Sequence, residues 1–329
     1  RLAEGGLKFV FKGGTSLVLL LQPIRRLSID VDILCLEPLE RLHEALNAVT
    51  KGVPFTEWRH QGHRDAESPP TKHFQVFYRP VVDAEPQPHV QLDVLEAAAI
   101  HPKIESREIR TDFVEVEKPV SVAVPSIDCM LGDKLAAFAP QTIGVLYQPV
   151  SRRTGERIEP SPSRVMKQLF DVGELVNVAT DLRIAAQTHR LIFEEQNRYR
   201  GGGFTLEQVL DDTLDAAYWL SQMGVAGEIA NDKTEFLNRA VRSLDSHLFG
   251  SDFGFPRAKV AAGRAALVAA LIKSGRVDQP LAELRRMPED INELKKLHVA
   301  GPWAKLDALR KTNPEAFYYW HRASALLAQ

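Results

Sequence analysis

Phe11-Lys12-Gly13-Gly14-Thr15-Ser16-Leu17, followed by Ser28-Ile29-Asp30-Val31-Asp32, is the stretch that decides the fold. Leu7 to Phe11 is a short apolar run closed by two glycines, the pattern of a buried strand ending in a turn. Thr15 or Ser16 then caps a short helix, Leu17 to Leu21, which stops before Pro23. Ile29 to Leu36 alternates apolar residues with Asp30 and Asp32, as a strand does. Residues i and i+2 of a strand share a face, so Asp30 and Asp32 present two carboxylates side by side. Two such groups repel unless a cation lies between them, which points to Mg²⁺ or Mn²⁺. The backbone N–H groups of Gly13, Gly14 and Thr15, at a helix start, suit phosphates.

Outward from this stretch the pattern stays α/β. Leu39, Leu42, Leu46 and Val49 have helical spacing, and strands are expected over His73 to Tyr78, His89 to Leu95, Phe113 to Val116 and Val120 to Val124. A third carboxylate, Asp93, sits in the alternating run Val90 to Leu95 and completes a three-acid platform suited to two-metal phosphoryl chemistry. Ser126 caps a helix from Ile127 to about Phe138. A Pro- and Arg-containing loop, Pro149 to Pro162, follows. Beyond it, Ser163 to Ala179, Leu182 to Tyr199, Thr205 to Met223, Thr234 to Leu248 and Arg257 to Ser274 all have helical spacing. The expected fold is α+β: an N-terminal α/β domain with a mixed sheet, residues 1–125, and an all-helical C-terminal domain, residues 126–329.

A lone Asp-x-Asp is ordinarily two solvated acids, and a lone Gly-Gly a turn. Here the apolar context of Ile29, Val31, Ile33 and Leu34 implies a core strand, where unpaired acids are costly. Turn, paired acids and third acid together favour a site.

Composition sets the remaining limits. The 329 residues carry 41 Lys+Arg against 43 Asp+Glu, a formal net charge of −2, which excludes nucleic-acid binding by gross positive charge but not a local basic groove. Basic candidates are Arg152, Arg153 and Arg157 in the loop, and Arg183, Arg190, Arg198 and Arg200 on or after one helix, where a solvated face is an equal alternative. Two cysteines, Cys35 and Cys129, exclude a disulfide scaffold or a multi-thiolate zinc site. His60 and His63 have no supporting ligand cluster and receive no role. No apolar run is long enough to cross a membrane, and no secretory signal opens the chain. A soluble cytoplasmic protein is expected, with a monomer favoured. The chain starts without Met, from which a missing natural N-terminus is expected.

Phe11 to Leu17 and Arg26-Leu27-Ser28-Ile29-Asp30-Val31-Asp32 together resemble the signature of the AbiEii/AbiGii toxin family, nucleotidyltransferase-fold proteins of the DNA polymerase β-like superfamily. The family pattern is Lys-Gly-Gly-Thr-Ala-Leu, then Arg-Phe-Ser-x-Asp-Leu-Asp; Ser16 and Leu27 are mild departures. Gly132-Asp133-Lys134-Leu135 is similar to the family's Lys-containing helix, and Arg164 to Val172 to its Arg-x-x-Lys-Asp-x-x-Asp-Leu helix.

The resemblance implies transfer of a nucleoside monophosphate from an NTP to an acceptor, which in characterised relatives is the 3′ end of tRNA. Carried over by position, Asp30 and Asp32 would hold metal ions. Ser28 and the Gly13-Gly14 backbone would hold the triphosphate. Lys134 would neutralise phosphate charge and Asp171 complete the pocket, both carried to the active site by residues 126–175. Arg26 would touch the triphosphate or pair with the acids, and Asp93 would orient or deprotonate the acceptor hydroxyl. A surface lysine is the competing reading of Lys134, and a buried acid paired with Arg164 or Lys167 that of Asp171. A cognate antitoxin is the implied partner. Two other functions remain open: transfer to a protein hydroxyl or small molecule, and non-catalytic NTP binding.

Overall fold

The computed structural model describes all residues except 62–70, 83–85, 97–99, 112–115, 117, 152–153, 251, 291 and 329. The expected strand Phe113 to Val116 lies mostly outside the described residues, as do Arg152, Arg153 and His63. The chain forms an N-terminal mixed α/β region followed by an all-helical region. It separates into two compact units, one of Arg1–Ser126 with Ser151–Glu156, the other of Ile127–Val150 with Arg157–Gln329.

Among the described residues, the first unit is built on a seven-stranded sheet in the order β3-β4-β5-β2-β1-β7-β6. Its strands are β1 (Phe9–Lys12), β2 (Val31–Cys35), β3 (Phe55–Gln61), β4 (Thr71–Tyr78), β5 (His89–Glu96), β6 (Ile104–Glu108) and β7 (Ser121–Pro125). The pairs β2–β5 and β1–β7 are parallel and the rest antiparallel, so the sheet is mixed. Two helices, α1 (Gly13–Leu20) and α2 (Leu39–Val49), belong to this unit. Leu42, Leu46 and Val49 of α2 fall on one helical stripe and are buried. Leu42 and Leu46 pack with Ile33, Phe74, Val76, Leu92 and Val94 from one face of the sheet, and this is the unit's core.

Two differences from the sequence expectation concern the decisive stretch. Helix α1 starts at Gly13, directly after β1, and not at Leu17. Strand β2 starts at Val31, so Asp30 precedes the ladder, and Ile29 is 84% exposed instead of lying in the core. The cause is local: the Thr15 hydroxyl donates to the Asp30 carbonyl, so this backbone acceptor is tied to the glycine turn and not to a neighbouring strand.

Among its described residues the second unit contains α3 (Ile127–Ala137), α4 (Pro162–Val178), α5 (Leu182–Tyr199), α6 (Leu206–Ser221), α7 (Asp232–Leu244), α8 (Phe255–Lys273), α9 (Leu281–Arg285), α10 (Leu309–Thr312) and α11 (Pro314–Leu327), with three 3₁₀ segments. Helix α8 is apolar nearly all round, as a central helix must be, and α6 and α11 pack extensively on it. At Gly263 an added Cβ would stand 3.0 Å from Tyr319 Cβ, so glycine allows the close approach of α11. Gly132 does the same between α3 and α5, where an added Cβ would meet the Ala185 carbonyl and lie 2.9 Å from His189 N.

Candidate active site

Register places the acids. Lys12 of β1 is paired with Asp32 of β2, Asp32 with Asp93 of β5, Asp93 with His73 of β4, and His73 with Gln61 of β3. Directly paired residues share a face, so these five positions form one polar line across five strands. Their sequence neighbours Ile33, Leu92, Val94 and Phe74 point the other way, into the core. Asp32 and Asp93 are therefore adjacent carboxylates on the face opposite that core, both partly exposed. The Asp30 carboxylate is exposed and has no ion-pair or hydrogen-bond partner among the described residues.

The glycine turn closes on the same acids. Gly13 has φ +77°, a left-handed conformation that favours glycine, and a Cβ there would lie 2.6 Å from Asp32 Cγ and 2.7 Å from Asp32 Cβ. A Cβ on Gly14 would stand 2.7 Å from Arg26 Nη2 and 3.1 Å from Ser28 Oγ. Gly13, Gly14, Thr15, Arg26, Ser28, Asp30 and Asp32 are thus brought near one another. The turn admits only bare backbone beside Asp32 at the start of α1.

The third acid carries a partner that sequence reasoning missed. His73 Nδ1 is 2.8 Å from Asp93 Oδ1, and Gln91 Nε2 donates to the same oxygen at 2.8 Å. An ionised carboxylate only accepts, so Nδ1 carries the proton of that bond. The available signal was the alternation of two strands, His73 to Tyr78 and His89 to Leu95, each with a polar residue on the Asp93 face.

Lys134 and Asp171 lie in the helical unit. Lys134 Nζ is 3.5 Å from Asp171 Oδ2, with side chains 9% and 2% exposed, and donates to Gln168 Oε1 at 3.3 Å. Lys134 is therefore no surface lysine; it is the ammonium partner of a buried carboxylate. The Arg183 guanidinium is committed to Asp181, and Arg200 Nη2 donates to the Gly144 carbonyl at 2.9 Å, so the basic stripe of α5 is partly used within the unit. The Arg183 pairing holds the Asp181 carboxyl below its ordinary range. Arg157 lines a cavity of about 540 Å³ with Tyr147, Lys233, Phe236 and Arg239.

The donor set suits a hard divalent cation: Asp32 and Asp93 are neighbouring oxygen donors, and Asp30 lies two residues from Asp32. No group of three or more ligands is gathered into a closed set among the described residues. Mg²⁺ is ordinarily held by one or two carboxylates, with water and substrate phosphates completing the shell, so these residues fit it.

The family model described as nucleotidyl transferase AbiEii toxin, type IV TA system, matches residues 1–254. No sequence among curated proteins matches the chain. Among solved structures, MenT4, a nucleotidyltransferase toxin from Mycobacterium tuberculosis, is similar at 15% identity and TM-score 0.48, over 95% of this chain and 85% of that one. JHP933 from Helicobacter pylori is similar at 14% identity and TM-score 0.40, over 83% and 87% respectively. With the family match spanning well over half of its length, the chain belongs to the AbiEii nucleotidyltransferase toxins of type IV toxin–antitoxin systems.

Proposed function

We propose that this nucleotidyltransferase moves a nucleoside monophosphate from an NTP to the 3′ end of an RNA, namely tRNA, and so blocks translation. The observation that carries the reading is the adjacency of Asp32 and Asp93 beside a glycine turn that admits only backbone next to Asp32. In the reaction the acceptor 3′-hydroxyl oxygen forms a bond to the α-phosphorus. The α–β phosphoanhydride bond breaks, and pyrophosphate leaves with the electron pair. Phosphoryl transfer of this kind needs positioning and charge neutralisation more than covalent catalysis.

Asp30, Asp32 and Asp93 would hold Mg²⁺ or Mn²⁺, which supplies charge neutralisation at the phosphates and acidifies the attacking hydroxyl. The backbone N–H groups of Gly13 and Gly14 receive phosphate oxygens, and the Ser28 hydroxyl and Arg26 guanidinium flank them. Asp93 orients the acceptor hydroxyl and takes up its proton. Lys134 and Asp171 are assigned to phosphate-charge neutralisation and its support. A cognate antitoxin is the partner that membership of a type IV system implies.

Purified protein with Mg²⁺ and each labelled NTP in turn, given total RNA and a cell lysate, tests this directly. Label is expected at RNA 3′ ends, located by sequencing, and absent with Asp32→Asn. Label on protein or on a small molecule would move the acceptor to another class. Nucleotide binding without pyrophosphate release would make the chain a regulator.

A further inference from the structure

We infer that His73 is a positioning residue that fixes which oxygen of Asp93 the metal site uses. The inference rests on the proposed reading of Asp32 and Asp93 as a cation-binding pair. His73 Nδ1 and Gln91 Nε2 both reach Oδ1 of Asp93, each at 2.8 Å, and no other hydrogen bond to this carboxylate exists among the described residues. Two donors on one oxygen fix the carboxylate's rotation and draw electron density to Oδ1. Oδ2 is left as the acceptor for a ligand shared with Asp32.

The two donors come from different places. Gln91 precedes Asp93 by two residues on β5 and shares its face, whereas His73 comes from β4 by direct register pairing. His73 also stands on the opposite side of Asp93 from Asp32, because β5 lies between β4 and β2. It therefore braces the carboxylate from the side away from the neighbouring acid without competing for the space between them. The His73 and Asp93 side chains are 12% and 24% exposed, so the contact is shielded from water while the carboxylate keeps an open side. An outer partner of this kind orients a ligand and does not touch the substrate.

The test uses Mn²⁺ alone as the probe. His73→Phe keeps a ring but deletes the donor, whereas His73→Asn places an amide N–H close to the position of Nδ1. Isothermal titration of the full chain with Mn²⁺ should show affinity reduced about 10- to 100-fold in His73→Phe. His73→Asn should stay within about threefold of wild type, because the donor is restored. In NTP turnover, His73→Phe should lower kcat while KM for NTP changes less than about twofold, since the triphosphate-binding turn is untouched.

Thermal melts establish that both variants fold. Wild-type Mn²⁺ affinity in folded His73→Phe would overturn the inference, and so would equal loss in both variants, which would make the ring and not its N–H the requirement. Asp32→Asn is the reference. If it loses Mn²⁺ binding while His73→Phe does not, the inference alone fails. If Asp32→Asn binds Mn²⁺ like wild type, the metal reading of the carboxylates falls and takes the inference with it.

Discussion

Gly13 and Asp32 occupy the same space: a Cβ on the glycine would lie 2.6 Å from the carboxylate carbon of the aspartate. Gly13→Ala therefore meets two penalties, a left-handed φ of +77° costing about 1–2 kcal/mol and displacement of Asp32. Gly14→Ala meets only the ends of the Arg26 and Ser28 side chains, which can give way. Nucleotide transfer should fall about 100-fold or more in Gly13→Ala, as an ångström-scale misplacement implies, and about tenfold or less in Gly14→Ala. Equal losses in the two variants would refute this ranking.

The registered acids give a second expectation. Asp32→Asn and Asp93→Asn preserve shape and remove one negative charge each from the pair proposed to share a cation. Each should lower turnover by at least about 100-fold at saturating NTP while thermal melts show the fold retained. A parallel fall in melting temperature would mean that the acids stabilise the fold instead.

For Lys134 and Asp171 stability is the informative quantity. Lys134→Met removes one ammonium partner of the buried Asp171 carboxylate and should destabilise the chain in urea titrations, by up to about 3 kcal/mol. Lys134→Met combined with Asp171→Leu removes both charges and should recover much of that loss. Additive losses in the double variant would show that the pair is not coupled.

His189, on α5 beside Gly132, is fully buried with no hydrogen-bond partner for either ring nitrogen among the described residues, and burial lowers its pKa from 6.5 to about 4. Its folded value lies below its unfolded value, so only the unfolded chain takes up a proton as pH falls from 6.5 towards 4. The stability that a neutral His189 confers is complete above pH 6.5 and drains away across that window, by about 3 kcal/mol in all. His189→Leu should flatten this limb in urea midpoints measured from pH 7 to pH 4. An unchanged slope would place the acid sensitivity elsewhere.

What could be read from the sequence follows from where each signal is encoded. The glycine turn, the Asp-x-Asp strand and the amphipathic helices α2, α4, α5, α6 and α7 are local patterns, and their limits fall within a few residues of expectation. Strands β3 and β6 escaped detection because they are the sheet's edges and are largely exposed, with little apolar alternation to mark them. In β3 a register irregularity between Phe55 and Glu57 further breaks the period of two. Helix α11 escaped as well, its Phe317, Tyr318, Tyr319 and Trp320 forming an unbroken buried run with no polar face to reveal its period. The His73–Asp93 contact joins two strands whose pairing is set by the whole sheet, so neither residue announces the other.

On the proposed reading of Asp32 and Asp93, the polar line from Lys12 to Gln61 would tie activity to strand alignment. Sliding β5 by one residue would replace Asp93 with Leu92 or Val94 and turn its carboxylate towards the oily side of the sheet. No intermediate alignment retains half a site. Substitutions at buried Phe74, Leu92 or Val94 would accordingly act as a dimmer on the population and not on the individual molecule. For a toxin, whose harm scales with the number of competent molecules, the grease on one side of this sheet sets the dose delivered by the other.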